Sequence, residues 1–180
     1  MATARYSSTA IALHWSIVAL IVIAFALGLT IDEFPKEAKS AAINAHALIG
    51  LAILVLSILR LSWRVATPLP PAPASLGRIT LLASGAAHAG LYVLMIAIPA
   101  IGVPTLLYRG RGLDFGLFSV ASPFERTPEI FRPLTDIHEI ASYALVGLAV
   151  AHALAALYHH HVLRDGVLLR MLPGVPNDEG

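Results

Sequence analysis

The chain contains no cysteine, and only 13% of its 180 residues are charged. The lack of cysteine excludes disulfides, iron–sulfur clusters held by thiolates and thioether attachment of a haem. The scarcity of charge argues against a water-soluble domain, which needs a charged surface to stay dissolved. The formal net charge of +1 favours neither a polybasic membrane anchor nor nucleic acid, so we expect no nucleic-acid partner.

Apolar residues make up 57% of the chain and are gathered into runs long enough to cross a bilayer. The first run begins near Thr9 and is too long for a cleaved signal peptide, so we read it as a span. We predict one all-α domain over 1–180, an integral-membrane four-helix bundle in contact with membrane lipid. Its four spans are expected at about 9–31, 41–63, 79–108 and 136–159.

The connections between these spans carry the turn-forming residues. A proline-rich stretch over 67–74 cannot continue a helix. Pro99 and Pro104 are expected to kink or end the third span. A segment of nearly thirty residues, from Arg109 to Thr135, is expected to form a functional loop. The polar tail after His161 is expected to lie along the membrane surface.

Four spans place both termini on one side of the membrane. The side with the termini then carries six Lys or Arg residues, and the opposite side also carries six. Because topology follows the distribution of Lys and Arg, this tie leaves the orientation open.

Histidine is the residue type that points to chemistry, because a titratable group inside a membrane span is costly and usually functional. His138 and His152 lie 14 positions apart on the fourth span. Fourteen residues are nearly four helical turns, about 21 Å of rise, so both rings leave the same face at different depths. By depth, His14 of the first span matches His152, and His46 of the second span matches His138.

Each pair can supply two axial nitrogens to one haem iron, so the pattern predicts two b-type haems stacked across the membrane. The alternative is that each imidazole hydrogen-bonds to a neighbouring helix without a cofactor. An iron with two axial histidines transfers single electrons and does not easily bind oxygen.

Two further histidines leave several interpretations open. His88, near the terminal-side pair, could be a spare ligand, a contact to a haem propionate or a quinone, or a packed core residue. His159 belongs to an interfacial cluster with His160 and His161, and it is either a snorkelling residue or a proton donor to quinone. Trp15 could form a wall of the same site or simply anchor the helix at the interface.

Several short motifs, in this order along the chain, resemble the bacterial cytochrome b561 family over almost the whole sequence. They are Leu13-His-Trp15, Arg60-Leu-Ser-Trp-Arg64, Ala97-Ile-Pro-Ala-Ile-Gly102, Tyr108-Arg-Gly110, Phe115-Gly-Leu117, His138-Glu139, Ala156-Leu-Tyr-His-His160, Arg164-Asp165 and Leu168-Leu-Arg-Met-Leu-Pro173. Their order and spacing are more specific than any one of them.

The resemblance implies a di-haem, quinone-reactive membrane protein with His14, His46, His138 and His152 as the haem ligands. Within the family the chain looks most like the superoxide oxidase branch, which implies electron transfer from superoxide to ubiquinone. It also implies a bacterial inner-membrane protein with both termini in the cytoplasm. Arg109, Arg111, Arg126 and Arg132 would then face the periplasm, where they could attract superoxide unless the nearby acidic residues cancel their field.

For the quinone site, the expected contacts are His88, His159 and Arg78, near the His14/His152 pair. One rival function is a cytochrome b subunit that relays electrons from a partner dehydrogenase or hydrogenase to quinone, with the outer loop binding that partner. A second rival is a four-helix membrane protein without haem, such as a small transporter, which would be colourless.

Overall fold

The computed structural model describes residues 5–71 and 76–174, and it is a bundle of four long helices. Residues 72–74 of the proline-rich connection lie outside the described residues. The helices are α1 (Ser8–Thr30), α2 (Lys36–Ala66), α3 (Arg78–Tyr108) and α4 (Pro128–Tyr158). Each is long and apolar enough to cross a membrane, which confirms the predicted all-α membrane fold.

Local sequence explains where the helices begin. The Ser7 side chain accepts a hydrogen bond from the Ala10 backbone N–H and so caps α1. Pro35 precedes α2, and Pro128 occupies the first turn of α4, where a missing N–H costs nothing. The helix α3 does not end at Pro99 or Pro104, as the sequence allowed, but continues through both to Tyr108. Membrane helices tolerate proline because neighbouring helices compensate the lost hydrogen bonds.

The expected thirty-residue loop is shorter than predicted, because α4 begins at Pro128. The residues from Pro128 to Thr135 form two helical turns that precede the predicted span. Pro128 and Pro133 were read as loop residues, but the first starts the helix and the second is accommodated inside it. At 31 residues α4 is about 46 Å long, which exceeds the hydrocarbon thickness of about 30 Å.

The remaining loop, 109–127, contains a small hairpin. Strand β1 (Leu113–Asp114) pairs antiparallel with β2 (Ser119–Val120), and Gly116 in the turn has φ +82°. Asn44 of α2 holds this hairpin with two hydrogen bonds: its amide donates to the Asp114 carbonyl (2.8 Å), and its Oδ1 accepts from the Asp114 N–H (2.9 Å). The hairpin is thus attached less than one turn from His46.

The helices pack in sequence order, α1 on α2, α2 on α3, and α4 most extensively on α3. A core of Ile17, Met95, Ile98 and Leu145 lies at mid-height. Large apolar side chains cover the outside, where lipid would contact them, including Val22, Ile79, Leu82, Ile140 and Leu154. The hydrophobic residues therefore divide between a thin internal layer and a lipid-facing surface.

The chain after α4 folds back over the end of the bundle that carries the termini. After α4, a π-helical turn (His159–Leu163) and a 3-10 turn (Leu168–Arg170) return the chain to α1. The Trp15 indole N–H donates to the Met171 carbonyl (2.7 Å), and the Tyr6 N–H donates to the Arg170 carbonyl (3.3 Å). We call residues 165–174 the C-terminal clasp; it joins the two ends of the described chain on one side.

Candidate functional site: two layers of histidines

His46 of α2 and His138 of α4 face each other across the bundle. Their ring centres are 6.1 Å apart, and the ring planes make an angle of 68°. Metal–imidazole bonds are about 2.0–2.1 Å, so two rings on opposite sides of one metal have their centres about 6 Å apart. The pair predicted from depth therefore has the spacing that a shared metal requires.

Backbone carbonyls orient both rings. His46 Nδ1 lies 3.0 Å from the Ala24 carbonyl of α1, and His138 Nδ1 lies 3.0 Å from the Ile98 carbonyl of α3. A carbonyl only accepts, so each Nδ1 carries the proton and each Nε2 keeps its lone pair for a metal. The hydrogen bond to a neighbouring helix, which the sequence offered as the alternative to ligation, is present in both cases and leaves Nε2 free.

A glycine lies under each of these rings. A Cβ added to Gly28 would be 3.2 Å from His46 Cε1, and one added to Gly102 would be 3.1 Å from His138 Cε1. Both glycines come four residues after the carbonyl that accepts from the same ring. Each imidazole therefore packs against a helical turn that has no side chain, on α1 for His46 and on α3 for His138. We call these two contacts the Gly28 and Gly102 cradles.

The terminal-side histidines form a different arrangement. His14, His88 and His152 lie close enough to interact electrostatically, and Arg60 of α2 joins them. The ring centres of His88 and His152 are 5.2 Å apart, less than two rings on one metal need. His88 Nδ1 donates to the Ser84 carbonyl of its own helix (2.7 Å). His88 is thus a neighbour of His152 by direct ring contact, and the His14/His152 ligand pair stays a prediction.

Arg60 is a site residue that the sequence reasoning did not identify. Its guanidinium donates to the Ala10 carbonyl (3.1 Å) and to the Tyr92 hydroxyl (3.2 Å), which fixes it beside the terminal-side histidines. It also lines a shallow surface cleft with Tyr6, Trp63 and Met171. By contrast Arg78, the expected contact, is exposed at the start of α3, about 15 Å of helix rise from His88.

All four helices repeat one pattern of seven-residue steps along their inner faces. The steps are His14, Ile21 and Gly28 on α1; His46, Ile53 and Arg60 on α2; His88, Met95 and Gly102 on α3; and His138, Leu145 and His152 on α4. Because the helices alternate in direction, these residues form three layers. We call the layer on the side opposite the termini the outer layer; it has two histidines and two glycines. The middle layer is apolar, and the terminal-side layer has three histidines and one arginine.

Arginines cluster beyond the outer layer. The guanidinium groups of Arg109 and Arg126 lie over the Phe131 ring, 5.1 and 5.5 Å from its centre. Arg109 also donates to the Thr135 hydroxyl (3.0 Å), one turn from His138, and its buried Nε has no hydrogen-bond partner. Partial burial lowers the pKa of Arg109, and Arg111 and Arg126 lower it further, while the carboxylate of Asp32 acts in the opposite direction. The cluster is a site where an anion would relieve repulsion.

The terminal end of α4 carries a second ionisable pair. His159 Nδ1 hydrogen-bonds to Asp165 Oδ2, and both side chains are largely buried. His159 lies seven residues beyond His152 and so above it on the same helix face. The structure thus adds a carboxylate partner to a histidine that the sequence reasoning had selected.

The donor set suits a haem better than a bare metal ion. Within the described ranges, no three His, Asp or Glu side chains come together as a metal cluster. Two opposed imidazoles with free Nε2 atoms instead suit an iron whose other four positions are filled by a macrocycle. The Gly28 and Gly102 cradles support this fit for the outer pair. The fold and the outer site define a membrane cytochrome of the b type.

Comparison with known proteins gives the family. The model of prokaryotic cytochrome b561 matches residues 5–174, and the chain belongs to this family. Cytochrome b561 homolog 1 of Escherichia coli K12 is 33% identical over 177 residues, covering 94% of this chain and 97% of that protein. The probable superoxide oxidase CybB of Yersinia pestis is 34% identical, with 94% and 96% covered. Cytochrome b562 of Cereibacter sphaeroides is 30% identical, with 93% and 94% covered.

Membership of this family confirms the general class of protein predicted from the sequence. The chain is a membrane redox protein of electron transport, and its family implies b-type haem. The resemblance noted from the motifs is confirmed. These findings exclude the haem-free transporter as a description of the family.

Proposed function

We propose that this protein oxidises superoxide to oxygen on one side of the bacterial inner membrane and reduces ubiquinone within the membrane. The balanced reaction is two superoxide anions, one quinone and two protons giving two oxygen molecules and one quinol. The arginine cluster next to the outer histidine pair is the observation that carries the proposal. The name of the Yersinia relative supports the same activity.

Two haem b groups are part of this proposal, one held by His46 and His138 and the other by His14 and His152. A b-type haem held by two such histidines would supply reversible one-electron transfer. The apolar layer of Ile21, Ile53, Met95 and Leu145 keeps water and ions out between the two sites. The termini would lie in the cytoplasm and the arginine cluster in the periplasm.

At the outer site the protein attracts a small anion by its positive charge. Arg109, Arg111 and Arg126 raise the local concentration of a small anion close to the turn that carries His138. Superoxide needs no bond to the metal to lose one electron, so no open coordination position is required. The arrangement of these residues favours a small anionic electron donor over a neutral one.

At the terminal side the proposed quinone contacts are His88 and His159, with Arg60 beside them. Imidazole and guanidinium groups can donate hydrogen bonds to quinone oxygens, and Trp15, in edge contact with His14 at 5.4 Å, offers an aromatic wall. Arg78 remains a predicted contact at the rim of this region.

The first experiment is an optical spectrum of the purified, oxidised protein during a pulse of superoxide, followed by a soluble quinone. We expect the b-type α-band to rise during the pulse, to correspond to two haems per chain, and to fall when quinone is added. Superoxide dismutase, added beforehand, should abolish the rise. Haem that dithionite reduces but superoxide does not would overturn the proposal.

That outcome would favour the second candidate, an electron relay from a partner dehydrogenase or hydrogenase to quinone. One observation supports this candidate. The hairpin tip exposes Phe115 and Phe118, stacked at 4.8 Å, and Leu117, which is 97% exposed. An apolar tip close to the outer site is typical of a protein-docking surface. A relay subunit should co-purify with its partner and fail to reduce quinone alone.

A further inference from the structure

The turn after α4 brings a carboxylate back onto a histidine. The π-helical turn His159–Leu163 is followed by Arg164 in the left-handed conformation, with φ 52°. This reversal lets the Asp165 N–H donate to the His159 carbonyl (3.3 Å) and places Asp165 Oδ2 at His159 Nδ1. A non-glycine residue with positive φ is uncommon, and π turns are frequent at functional sites.

The Asp165 carboxylate is held on both oxygens. While Oδ2 contacts the imidazole, Oδ1 accepts from the Val167 N–H (3.2 Å). Asp165 has only 7% of its side chain exposed, and His159 has 15%. Burial raises the pKa of Asp165, but the hydrogen bonds from His159 and Val167 outweigh burial and hold the pKa below its usual value. The group is therefore a fixed negative charge at neutral pH.

The contact fixes which nitrogen of His159 carries the hydrogen bonded to Asp165. Asp165 accepts from Nδ1–H, so Nε2 is left for another partner. His159 is about 10.5 Å of helix rise beyond His152 on the same face. Nε2 is thus the exchangeable position of a ring at the terminal end of the histidine layers.

We propose that Asp165 is a positioning residue for quinone reduction, and that it holds His159 so that Nε2 delivers protons to a quinone oxygen. This assignment rests on the quinone site of the proposed function. His159 is the catalytic residue, and Asp165 acts only through it.

His159 and water account for both protons that the quinone takes up. Each transfer breaks the Nε2–H bond of the imidazolium and forms an O–H bond on the quinone, leaving neutral His159 with its Nδ1–H still bound to Asp165. Water on the terminal side then reprotonates Nε2, so His159 delivers the two protons one after the other. The two electrons come from the two superoxide anions oxidised at the outer site.

The test separates quinone reduction from the rest of the reaction. The intact protein, purified in detergent and reduced with a stoichiometric amount of dithionite, is mixed with a soluble ubiquinone, and the loss of the reduced α-band is timed. The variants are Asp165→Asn, Asp165→Glu and His159→Gln, with His161→Gln as the matched control from the same turn. Haem content and thermal unfolding midpoint are recorded for each variant.

We expect Asp165→Asn to slow quinone-driven oxidation at least tenfold through kcat, with KM for quinone nearly unchanged. Asn can still accept from the Val167 N–H but lacks the charge that stabilises the imidazolium. The glutamate variant should recover part of the rate, and His159→Gln should be slower than Asp165→Asn because it removes the proton donor. His161→Gln should match the unmodified protein. A solvent deuterium isotope effect should be present in the unmodified protein and larger in His159→Gln, because proton delivery limits the rate more strongly once the donor is lost.

Three outcomes would overturn the assignment. A wild-type rate in Asp165→Asn would reduce Asp165 to a structural tie within the C-terminal clasp. Equal slowing of superoxide-driven reduction and quinone-driven oxidation would show general damage instead of positioning. Slow oxidation in His159→Gln with a normal rate in Asp165→Asn would remove Asp165 while leaving the quinone site in place. Failure of the unmodified protein to reduce any quinone would instead remove the proposed function itself.

Discussion

Gly102 of α3 lies directly against the imidazole of His138 on α4, so that a Cβ at position 102 would be 3.1 Å from Cε1 and 3.3 Å from Nδ1 of the ring. The ring's Nδ1 meanwhile bonds to Ile98, one turn earlier on α3. The ring cannot move away from an added methyl group without breaking this hydrogen bond. The position of His138, a proposed haem ligand, is therefore coupled to the absence of a side chain on another helix.

The first prediction concerns this cradle. Gly102→Ala should displace His138 and cost about 1–3 kcal/mol in folding free energy through overpacking. It should also weaken haem binding about 10–100-fold, as loss of a ligand's supporting contacts typically does. Haem titration of the apoprotein measures the second effect. Gly147→Ala is the matched control, because nothing lies within 4 Å of a Cβ added there. Equal haem affinity in the two variants would contradict the cradle.

A second prediction separates the terminal-side histidines. His88→Ala should retain the full haem content, because the 5.2 Å contact between His88 and His152 is too short for a metal between them. His152→Ala should lose one haem per chain. The haem-to-protein ratio, from a pyridine haemochrome assay, measures both. Loss of a haem in His88→Ala would make His88 the ligand and displace His14 or His152 from that role.

The third prediction concerns the anion site. Arg109→Gln should lower the rate of superoxide-driven haem reduction about three- to tenfold at low ionic strength, because it removes a positive charge that is hydrogen-bonded to Thr135, one turn before His138. The dependence of that rate on salt should also become flatter. Pulse radiolysis at several salt concentrations measures both. Lys36→Gln removes one exposed positive charge from the same side and should have a smaller effect. Equal effects in the two variants would mean that only net charge matters.

A fourth prediction concerns the hairpin. Asn44→Ala removes both hydrogen bonds that hold Asp114, each worth about 0.5–1.5 kcal/mol. The β1–β2 hairpin should then detach from α2, and hydrogen exchange at the Asp114 amide should accelerate at least fivefold. Thr30→Ala is the control, since the Thr30 hydroxyl bonds only within its own helix. Unchanged protection at Asp114 would show that the hairpin is held by its other contacts.

The sequence predicted the four long apolar helices and the proximity of His46 and His138, because both follow from regular helix geometry. A run of apolar residues long enough to cross a bilayer predicts a membrane-spanning helix. The depth of His46 and His138 in their helices follows from counting turns. The start of α4 was missed because Pro128 and Pro133 are signals of a loop as well as of a helix N-terminus. Local sequence does not distinguish these cases without the packing of Phe131 against Arg109 and Arg126.

The terminal-side layer was harder to predict because its members come from distant parts of the chain. Arg60 follows His46 by the same fourteen residues that separate His138 from His152, so the signal was present in the spacing. Counting histidines alone by depth does not reveal this signal, because an arginine occupies the fourth position of the terminal-side layer. The contact of His159 with Asp165 depends on a left-handed residue at position 164, which no periodicity predicts.

The bond from Trp15 to Met171 has a consequence for biosynthesis. Its two residues are 156 positions apart, so at about 5–20 residues per second the ribosome adds the second roughly 8–30 s after the first. Throughout that interval α1 is present without the segment that covers its end. The terminal side of the bundle is therefore the last part to close during synthesis, which leaves a period in which a large planar cofactor can enter from that side.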